Sequence, residues 1–226
     1  MKKTPGSTGH RQLHVNVKTA GKRKPSSTQW LARQLNDPYV MMAKKDGYRC
    51  RSAYKLIEID DKFNILKPGS VVIDLGAAPG GWSQVTTQRI KGGTLIGIDL
   101  QEMEPIPGAT LFRHDFMAED APALLEKELG GKKANVVLSD MAAAACGHTQ
   151  TDHIRILALC ECALDFAINN LEKGGSFATK MLKGGAEHEL LILIKQHFKI
   201  VKHFKPNSSR KDSAEMFLVA LGFKGK

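Results

Sequence analysis

A strand, turn and helix pattern at residues 71–83 constrains the fold of this chain more than any other feature. A short apolar run ends at Asp74, passes through a loop rich in Gly and Ala, and continues as a helix from about Trp82. The loop holds three glycines, Gly76, Gly80 and Gly81. Because they lack Cβ atoms, the backbone there can adopt positive φ and approach a ligand closely. The helix that follows presents free N–H groups and the positive end of its dipole. The pattern predicts the first strand, turn and helix of an α/β domain with a ligand at the turn.

The glycine spacing indicates what kind of ligand this is. In the dinucleotide fingerprint G-x-G-x-x-G the middle glycine admits a pyrophosphate. Here that position is Ala78, and Pro79 follows it. A second predicted strand, residues 94–98, ends in Asp99, where an acidic residue can hold ribose hydroxyls. These features favour a nucleoside cofactor without a pyrophosphate, and S-adenosylmethionine is the natural candidate. A tight glycine-rich turn with no ligand is the alternative.

Strand and helix patterns alternate along the rest of the chain. Strands are expected at residues 71–74, 94–98, 109–114, 134–139, 176–179, 200–204 and 216–221, and helices at residues 52–64, 82 onward, 121–129, 152–171 and 186–197. Gly174 and Gly175 are expected to terminate the fourth of these helices. Alternation of this kind implies a mostly parallel sheet with helices on both faces, a Rossmann-like α/β fold. The last two strands are joined by a non-helical loop, so the final strand should run antiparallel.

The charge of the chain is unevenly distributed. The 226 residues carry a net charge of +10, and residues 1–34 contain no acidic side chain. We expect residues 1–34 to form a basic, mobile arm and residues 35–226 to form a single domain. A net positive charge of this size is typical of a protein that binds a polyanion such as RNA. A basic organelle-targeting segment is the alternative for the arm, although its Gly and Pro content does not favour an amphipathic helix.

The remaining composition indicates compartment and class. The chain has four cysteines, Cys50, Cys146, Cys160 and Cys162. Their spacing fits neither a zinc site nor a disulfide framework, which is typical of a reducing compartment. The eight histidines show no ligand spacing, so no metal site is predicted. With no apolar run long enough to span a membrane and no signal-peptide core, we expect a cytoplasmic protein without membrane contact. We expect it to be a monomer.

Charged residues mark one edge of the predicted sheet. They are Asp99, Asp115, Asp140 and Lys180, which stand at or near the ends of successive strands, and Glu215, which precedes the last strand. Ligands of open α/β sheets lie outside the carboxyl ends of the strands. Because the last strand is antiparallel, its beginning lies on the same edge. A single charge at a strand end is ordinarily a solvated terminus, but five together indicate an active site.

At these residues the chain resembles the FtsJ/RrmJ-like ribosomal RNA 2′-O-methyltransferases. The likeness runs through Asp74-Leu-Gly-Ala-Ala-Pro-Gly-Gly-Trp-Ser83, Ser52-Ala-Tyr-Lys55, Ser139-Asp-Met141, Gly174-Gly-Ser-Phe177 and Lys205-Pro-Asn-Ser-Ser-Arg210, and covers the chain after about Trp30. It implies a seven-stranded S-adenosylmethionine-dependent methyltransferase fold. It also implies a catalytic tetrad of Lys55, Asp140, Lys180 and Glu215. The residues that it places around the cofactor are Gly80, Trp82, Asp99, Asp115 and Asp140, and the glycine loop adds Gly76 and Gly81 to the predicted cofactor site.

The resemblance implies an enzyme that methylates a uridine 2′-hydroxyl in large-subunit ribosomal RNA, late in subunit assembly. A tRNA or mRNA-cap 2′-O-methyltransferase and a catalytically silent RNA-binding assembly factor are the alternatives. RNA contacts are expected from the arm, from residues 42–51, which include Arg49 and Arg51, and from Lys205, Arg210 and Lys211. Tyr48 or Tyr54 is a candidate for stacking on a flipped base, with an ordinary packing role as the alternative. Residues 142–146 read Ala-Ala-Ala-Ala-Cys where relatives often carry Pro and Asn.

Overall fold

One seven-stranded sheet forms the centre of the molecule. The computed structural model describes residues 15–22, 24–143, 146–184 and 188–225. The strands are β1 (Val71–Leu75), β2 (Thr94–Asp99), β3 (Ala109–Arg113), β4 (Ala134–Ser139), β5 (Leu171–Leu182), β6 (Phe198–Phe204) and β7 (Glu215–Phe223). Their order is β3-β2-β1-β4-β5-β7-β6. β1 to β5 pair in parallel, whereas β7 is antiparallel to both β5 and β6. The predicted mostly parallel sheet with an antiparallel last strand is confirmed.

Helices cover both faces of this sheet. They are α1 (Pro25–Leu35), α2 (Pro38–Lys45), α3 (Ala53–Phe63), α4 (Gly81–Ile90), α5 (Ala121–Leu129), α6 (Thr149–Asn170) and α7 (His188–His197), with a short 3-10 helix at Ala20–Lys22. Alternate side chains of β1 enter two different apolar clusters because successive strand residues point to opposite faces. Ile73 packs in the cluster that contains α5, α6 and α7 residues, and Val72 packs in the cluster that contains α3 and α4 residues. No helix among the described residues is long and apolar enough to cross a membrane.

The end of α6 differs from the prediction. The helix stops at Asn170, and Leu171 begins β5, so the expectation that Gly174 and Gly175 terminate the helix is wrong. Leu171 pairs with Ala134 and Ser176 pairs with Val136, so the strand bulges between these two pairs. Both glycines lie in the bulge: Gly174 has a φ of +92°, and a Cβ on Gly175 would lie 2.9 Å from a backbone carbonyl oxygen. A pair of glycines in the sequence is compatible with a strand bulge as well as with the end of a helix.

The predicted basic arm contains a helix among its described residues. Residues 25–34 form most of α1. Pro25 stands in its first turn, where its missing N–H costs no helical hydrogen bond. The Asn36 side chain donates to the carbonyl of Ala32 at 2.8 Å and satisfies one of the last helical acceptors. Residues 1–14 lie outside the described residues, and the division of the chain into arm and domain stays a prediction.

Helices α3 to α7 occur where the sequence patterns predict helices, with small shifts at their ends, whereas no predicted helix corresponds to α2. α5 begins and ends as predicted, and α6 begins at Thr149, three residues before the predicted start. Ser52 is the N-cap residue of α3, but its side chain makes no capping hydrogen bond; its Oγ lies 2.8 Å from the Sγ of Cys50. The predicted start of the last helix, at residue 186, lies outside the described residues.

Candidate active site

The structure brings the five charged strand-end residues to one edge of the sheet. Asp99 is the last residue of β2, Asp140 follows β4, and Lys180 is the third residue from the end of β5. Asp115 follows β3 by two residues. Glu215 is the first residue of β7 and reaches the same edge because β7 runs antiparallel to β5. The predicted convergence of these residues at the carboxyl end of the sheet is what the strand order requires.

Lys180 and Asp140 form the first of two lysine–carboxylate pairs. The Lys180 Nζ donates to the Asp140 Oδ1 at 3.0 Å and to the backbone carbonyl of the same residue at 2.6 Å. Both side chains are largely buried, with 10% and 16% of their surface exposed. Two contacts to one residue hold the amine at a defined position beside the turn that follows β4.

Lys55 and Glu215 form the second pair. Lys55 lies in the first turn of α3, and its Nζ is 2.6 Å from the Glu215 Oε1. The same carboxylate oxygen accepts a hydrogen bond from the Ser209 Oγ at 3.1 Å. Burial acts to raise the pKa of Glu215, but the charge and hydrogen bond of Lys55, with smaller contributions from Lys180 and Ser209, outweigh it and lower that pKa below its ordinary value. Glu215 is therefore ionised at neutral pH.

The register of β5 against β7 places the two pairs side by side. Lys180 pairs with Phe217, and Glu215 precedes Phe217 by two residues, so the Lys180 and Glu215 side chains point to the same face as diagonal neighbours. The charge of Lys180 contributes to the lowered pKa of Glu215. The four residues of the predicted tetrad, which come from α3, β5, β7 and the turn after β4, thus form one cluster of two cations and two anions.

The turn after β1 is built around a buried carboxyl group. The Asp74 side chain is fully buried, and its Oδ2 accepts a hydrogen bond from the Ser83 Oγ at 2.7 Å. Its other oxygen has no hydrogen-bond partner among the described residues. Burial raises the pKa of Asp74 to about 7, with smaller upward contributions from Asp140 and Asp99, although the Ser83 hydrogen bond acts in the opposite direction. This residue stabilises the turn from beneath and does not contact solvent.

A cavity of about 540 Å³ opens above this turn, between the ends of β2, β3 and β4. Four of the predicted cofactor residues line it: Gly76, Asp99, Asp115 and Asp140. The Asp99 carboxylate is held in place because its Oδ2 accepts from the Ala78 N–H at 2.9 Å and its Oδ1 accepts from the Gln101 N–H at 2.8 Å. Each oxygen keeps further acceptor capacity toward the cavity. The volume and the hydrogen-bond acceptors of the cavity fit a nucleoside-sized ligand.

The other three predicted cofactor residues do not line this cavity. The Trp82 ring is 2% exposed, lies 5.5 Å from the Phe217 ring, and donates its Nε1–H to the carbonyl of Ser52 at 2.9 Å. Gly80 and Gly81 face the segment before α3: a Cβ on Gly80 would lie 2.8 Å from the Arg49 Nη1, and one on Gly81 would overlap the Cys50 Sγ. Their small size serves the close approach of this segment to the loop. A direct role for them at the ligand stays a prediction.

Some cavity residues have only weak sequence signals. Leu100 and Met117 are large apolar side chains that follow the strand-end acids Asp99 and Asp115, and they are 63% and 49% exposed. Leu159 of α6 also lines the cavity. An apolar side chain one or two residues after a strand-end carboxylate is the signal that could have identified Leu100 and Met117. It is a weak signal because isolated exposed apolar residues are common.

Arg49 binds the protein's own backbone in this structure. Its Nη1 donates to the carbonyls of Pro79, at 3.3 Å, and Glu104, at 2.7 Å, and its Nη2 donates to that of Pro105 at 2.9 Å. Its backbone N–H donates to the Gln84 Oε1 at 2.8 Å. The guanidinium therefore ties the turn after β1 to the segment after β2. The sequence indicates no such role, and the predicted RNA contact of Arg49 stays a prediction.

The basic loop between β6 and β7 is also anchored by internal contacts. Arg51 pairs with Asp37 and donates to the carbonyl of Ser208, and the Arg210 guanidinium lies 3.4 Å from the same carboxylate of Asp37. The Glu58 carboxylate accepts the backbone N–H groups of Asn207 and Ser208 at 2.6 and 2.9 Å. The Lys205 Nζ donates to the carbonyls of Lys211 and Ser213. These contacts fix the loop that carries Ser209 to Glu215. The predicted RNA contacts of Arg51, Lys205 and Arg210 stay predictions.

The two candidate stacking tyrosines belong to a cluster. The Tyr54 ring lies 5.5 Å from that of Tyr39 and 5.7 Å from that of Tyr48, and its hydroxyl donates to the Asp46 Oδ2 at 2.6 Å. Burial, followed by the hydrogen bond to Asp46, raises the pKa of Tyr54. The Tyr48 hydroxyl donates to the Gln88 side chain at 3.2 Å. The cluster packs α2 against α3, which agrees with the packing alternative.

The cysteines in the described residues are free thiols. Burial raises the pKa of Cys160 to about 11, and its Sγ donates to the Lys180 carbonyl at 2.9 Å. The thiol is therefore neutral and supports the backbone of a tetrad residue. Among the described residues no group of three or more His, Cys, Asp or Glu side chains is arranged to hold a metal ion.

Comparison with known proteins identifies the family. The sequence profile of FtsJ-like methyltransferases matches residues 48–223. Two relatives, each described as ribosomal RNA large subunit methyltransferase E, are 56% identical (Parvibaculum lavamentivorans, 98% of this chain and 91% of the relative) and 59% identical (Erythrobacter litoralis, 93% and 95%). A solved structure described as a ribosomal RNA methyltransferase from Plasmodium falciparum superposes with a TM-score of 0.71 at 32% identity, over 79% of this chain and 100% of that one. The resemblance inferred from the sequence motifs is thus confirmed: the chain belongs to the FtsJ-like methyltransferase family.

Proposed function

We propose that this protein transfers a methyl group from S-adenosylmethionine to the ribose 2′-hydroxyl of a uridine in large-subunit ribosomal RNA, late in subunit assembly. The observation that carries the proposal is the position of Lys180, held by two contacts to Asp140 next to the Lys55–Glu215 pair. A buried amine beside a second cation is suited to handle the proton of a hydroxyl nucleophile. The names of the relatives support ribosomal RNA as the substrate.

The cavity residues are suited to the proposed cofactor, which supplies an electrophilic methyl group when bound. Asp99 would accept hydrogen bonds from the ribose hydroxyls, and Asp115 would supply a second acceptor in the same cavity. Asp140 would favour the positive charge of the cofactor, since a carboxylate stabilises a nearby cation. Asp140 also contacts Lys180, so it joins the cofactor cavity to the tetrad.

The tetrad would act on the proton of the ribose hydroxyl. In one role, Lys180 accepts or guides this proton, Asp140 orients the amine, and Lys55 lowers its proton affinity by like-charge repulsion. In the other, Lys180 stays charged and stabilises the developing alkoxide. In both roles Glu215 holds Lys55 in place through the 2.6 Å contact. Alignment of the hydroxyl with the methyl group supplies a large part of the rate enhancement.

The charge of the chain supports a polyanionic substrate. A net charge of +10 favours phosphate contacts that release counterions. Ribosomal RNA is proposed over tRNA and mRNA caps because relatives more than 50% identical over more than 90% of this chain carry a large-subunit ribosomal RNA name. The proposed setting is the cytoplasm, with the protein acting as a monomer on assembled or nearly assembled large subunits.

A mapping experiment tests the proposal. Ribose methylation would be mapped in large-subunit RNA from cells that lack this protein, and again after complementation with the wild type or with Lys180→Ala. We expect one uridine 2′-O-methyl group to be lost and to return only with the wild type. Purified enzyme with labelled cofactor would then be offered large subunits, tRNA and capped mRNA. Label in tRNA or cap alone would favour another 2′-O-methyltransferase, and an unchanged RNA map together with no transfer would favour a silent assembly factor.

A further inference from the structure

An exposed tryptophan on α1 is not used by the site described above. The Trp30 side chain is 56% exposed, whereas Trp82, the other tryptophan of the chain, is 2% exposed. No side chain of α1 is buried against the described part of the chain. Large aromatic side chains dominate binding interfaces because they bury much area with few rotatable bonds. An ordered helix that presents such a ring to solvent is therefore a candidate interaction surface.

The charges near Trp30 in the sequence indicate the chemistry of its partner. Residues 1–36 contain no acidic side chain, and α2 ends in Lys44 and Lys45. The described cations of the first 36 residues are Lys18, Lys22, Lys24 and Arg33. A basic surface with an exposed aromatic ring is typical of proteins that bind single-stranded nucleic acid, in which cations follow the phosphates and bases stack on the ring. Complementarity of charge thus favours RNA over a basic ribosomal protein.

Side-chain contacts hold this segment in a defined conformation. The Asn36 Oδ1 accepts from the Val15 N–H at 2.8 Å, and its Nδ2 donates to the carbonyls of Val15 and Ala32. The neighbouring Asp37 caps α2 through the Tyr39 N–H at 3.0 Å. Because this segment is already ordered, it loses less conformational entropy when it binds a partner.

Asp37 also connects this segment to the catalytic site. Its carboxylate pairs with Arg51, which donates to the carbonyl of Ser208, and with Arg210. Ser208 and Arg210 belong to the loop whose Ser209 binds Glu215. RNA bound to α1 would therefore be bound to an element fixed against the tetrad.

We propose that Trp30 is a stacking platform for an unpaired base of the substrate RNA, flanked by phosphate contacts from the basic side chains of α1 and α2. The proposal rests on the proposed function, since it specifies how that RNA is held. It assigns to Trp30 a role in binding and none in methyl transfer itself.

Tryptophan fluorescence gives a direct test because only Trp30 is accessible to solvent. The probe is a single-stranded oligouridylate of about 15 nucleotides, a length within the site sizes of single-strand-binding proteins. We expect saturating probe to quench the fluorescence of the wild type. In Trp30→Ala the remaining signal, from Trp82, should not change. Probe bound to the wild type without any quenching would overturn the proposal.

Three variants separate stacking from electrostatics. Trp30→Ala should bind the probe about 5- to 150-fold more weakly, the range of one base–aromatic stack, and Trp30→Phe should recover part of the loss. The dependence of affinity on salt should be the same in Trp30→Ala as in the wild type, because stacking releases no counterions. A double Lys44→Ala and Lys45→Ala variant should lower the salt slope by about 1.4, which is about 0.7 for each lost contact to a single-strand phosphate. Ile200→Ala, an apolar residue on β6 that is 47% exposed, is the matched control and should bind as the wild type does.

Activity measurements distinguish failure of this proposal from failure of the proposed function. Large subunits would be methylated under limiting RNA, and cofactor affinity would be measured in parallel. The proposal predicts a higher KM for RNA in Trp30→Ala with unchanged kcat and cofactor affinity. An equal KM for RNA in Trp30→Ala and the wild type would overturn the proposal. It would also be overturned if Trp30→Ala bound whole subunits more weakly but naked RNA normally, because this would indicate a ribosomal protein as the partner. No transfer by the wild type would instead contradict the proposed function.

Discussion

The Ser83 Oγ donates a hydrogen bond of 2.7 Å to the Asp74 Oδ2 and thereby joins the end of β1 to the first turn of α4 beneath the glycine loop. The bond lies entirely in the interior, since both side chains are fully buried. A carboxyl group in such surroundings is most stable when protonated, and its pKa is raised from 3.8 to about 7. The loop that frames the cavity is therefore coupled to a titration near neutral pH.

Asp74→Asn should change the pH dependence of stability. Because the folded state binds the Asp74 proton more tightly than the unfolded state, its contribution is fully present below pH 3.8 and is lost as pH rises through about 7. The wild type should therefore lose about 2–3 kcal/mol of unfolding free energy between pH 5 and pH 8 that the variant does not lose. Urea unfolding at both pH values measures this. The exposed Asp212→Asn is the control, and a wild-type-like pH dependence in Asp74→Asn would contradict the expected titration.

Glu215→Gln should change the pH dependence of stability in the opposite direction. Since the folded-state pKa of Glu215 is lowered, its contribution is present above its ordinary value of 4.5 and is lost as pH falls through the folded pKa. We expect the variant to be less stable than the wild type by about 1.5–3 kcal/mol at pH 7, because the charged hydrogen bond to Lys55 is lost, and to approach the wild type in acid. A double-mutant cycle with Lys55→Met measures the coupling. No coupling at pH 7 would show that the pair contributes nothing to stability.

Lys180→Ala should remove methyl transfer and leave cofactor binding nearly intact. Loss of a group that handles the nucleophile's proton lowers kcat by about 10²- to 10⁴-fold. Single-turnover transfer to large subunits and calorimetric titration of the cofactor measure the two effects. Lys183→Ala, an exposed lysine three residues further on, is the matched control. Turnover within a few-fold of the wild type in Lys180→Ala would exclude both proposed roles of this lysine.

Arg49→Ala should weaken cofactor binding by about 10-fold, because three hydrogen bonds that tie the turn after β1 to residues 104–105 are lost. Arg49→Lys should restore part of the affinity, and Lys44→Ala should leave it unchanged. Calorimetric titration of the cofactor without RNA is the measurement. Unchanged cofactor affinity with weaker RNA binding would assign Arg49 to the RNA instead.

Gly81→Ala should destabilise the protein by about 1–3 kcal/mol, because the added Cβ overlaps the Cys50 Sγ. Cys50→Ala removes that sulfur and should suppress most of the loss in the double variant, although the Ser52 Oγ, 3.2 Å from the Cβ position, remains close. Thermal unfolding of both single variants and the double variant tests this. An additive loss would mean that the clash lies elsewhere.

The local sequence determined the elements and the edge at which they form a site. Apolar runs of strand length that end in Asp74, Asp99 and Asp140 identify parallel strands, because side-chain periodicity and strand-end polarity depend on near neighbours alone. The same rule placed Lys180 and Glu215 at one edge of the sheet. Lys55 carries no such signal, and only the family motif distinguished it from a solvated helical lysine.

The tertiary structure decided which side chains face the cavity and which support it. Trp82 points to Phe217, a residue 135 positions away, and Arg49 binds carbonyls of residues 79, 104 and 105. The glycines of the bulge in β5 fit a register set by β4. The sequence motif marks these positions as part of one loop or arm, but their directions depend on neighbours distant in the chain. Those contacts exist only once the sheet has assembled, and so periodicity and spacing could not predict them.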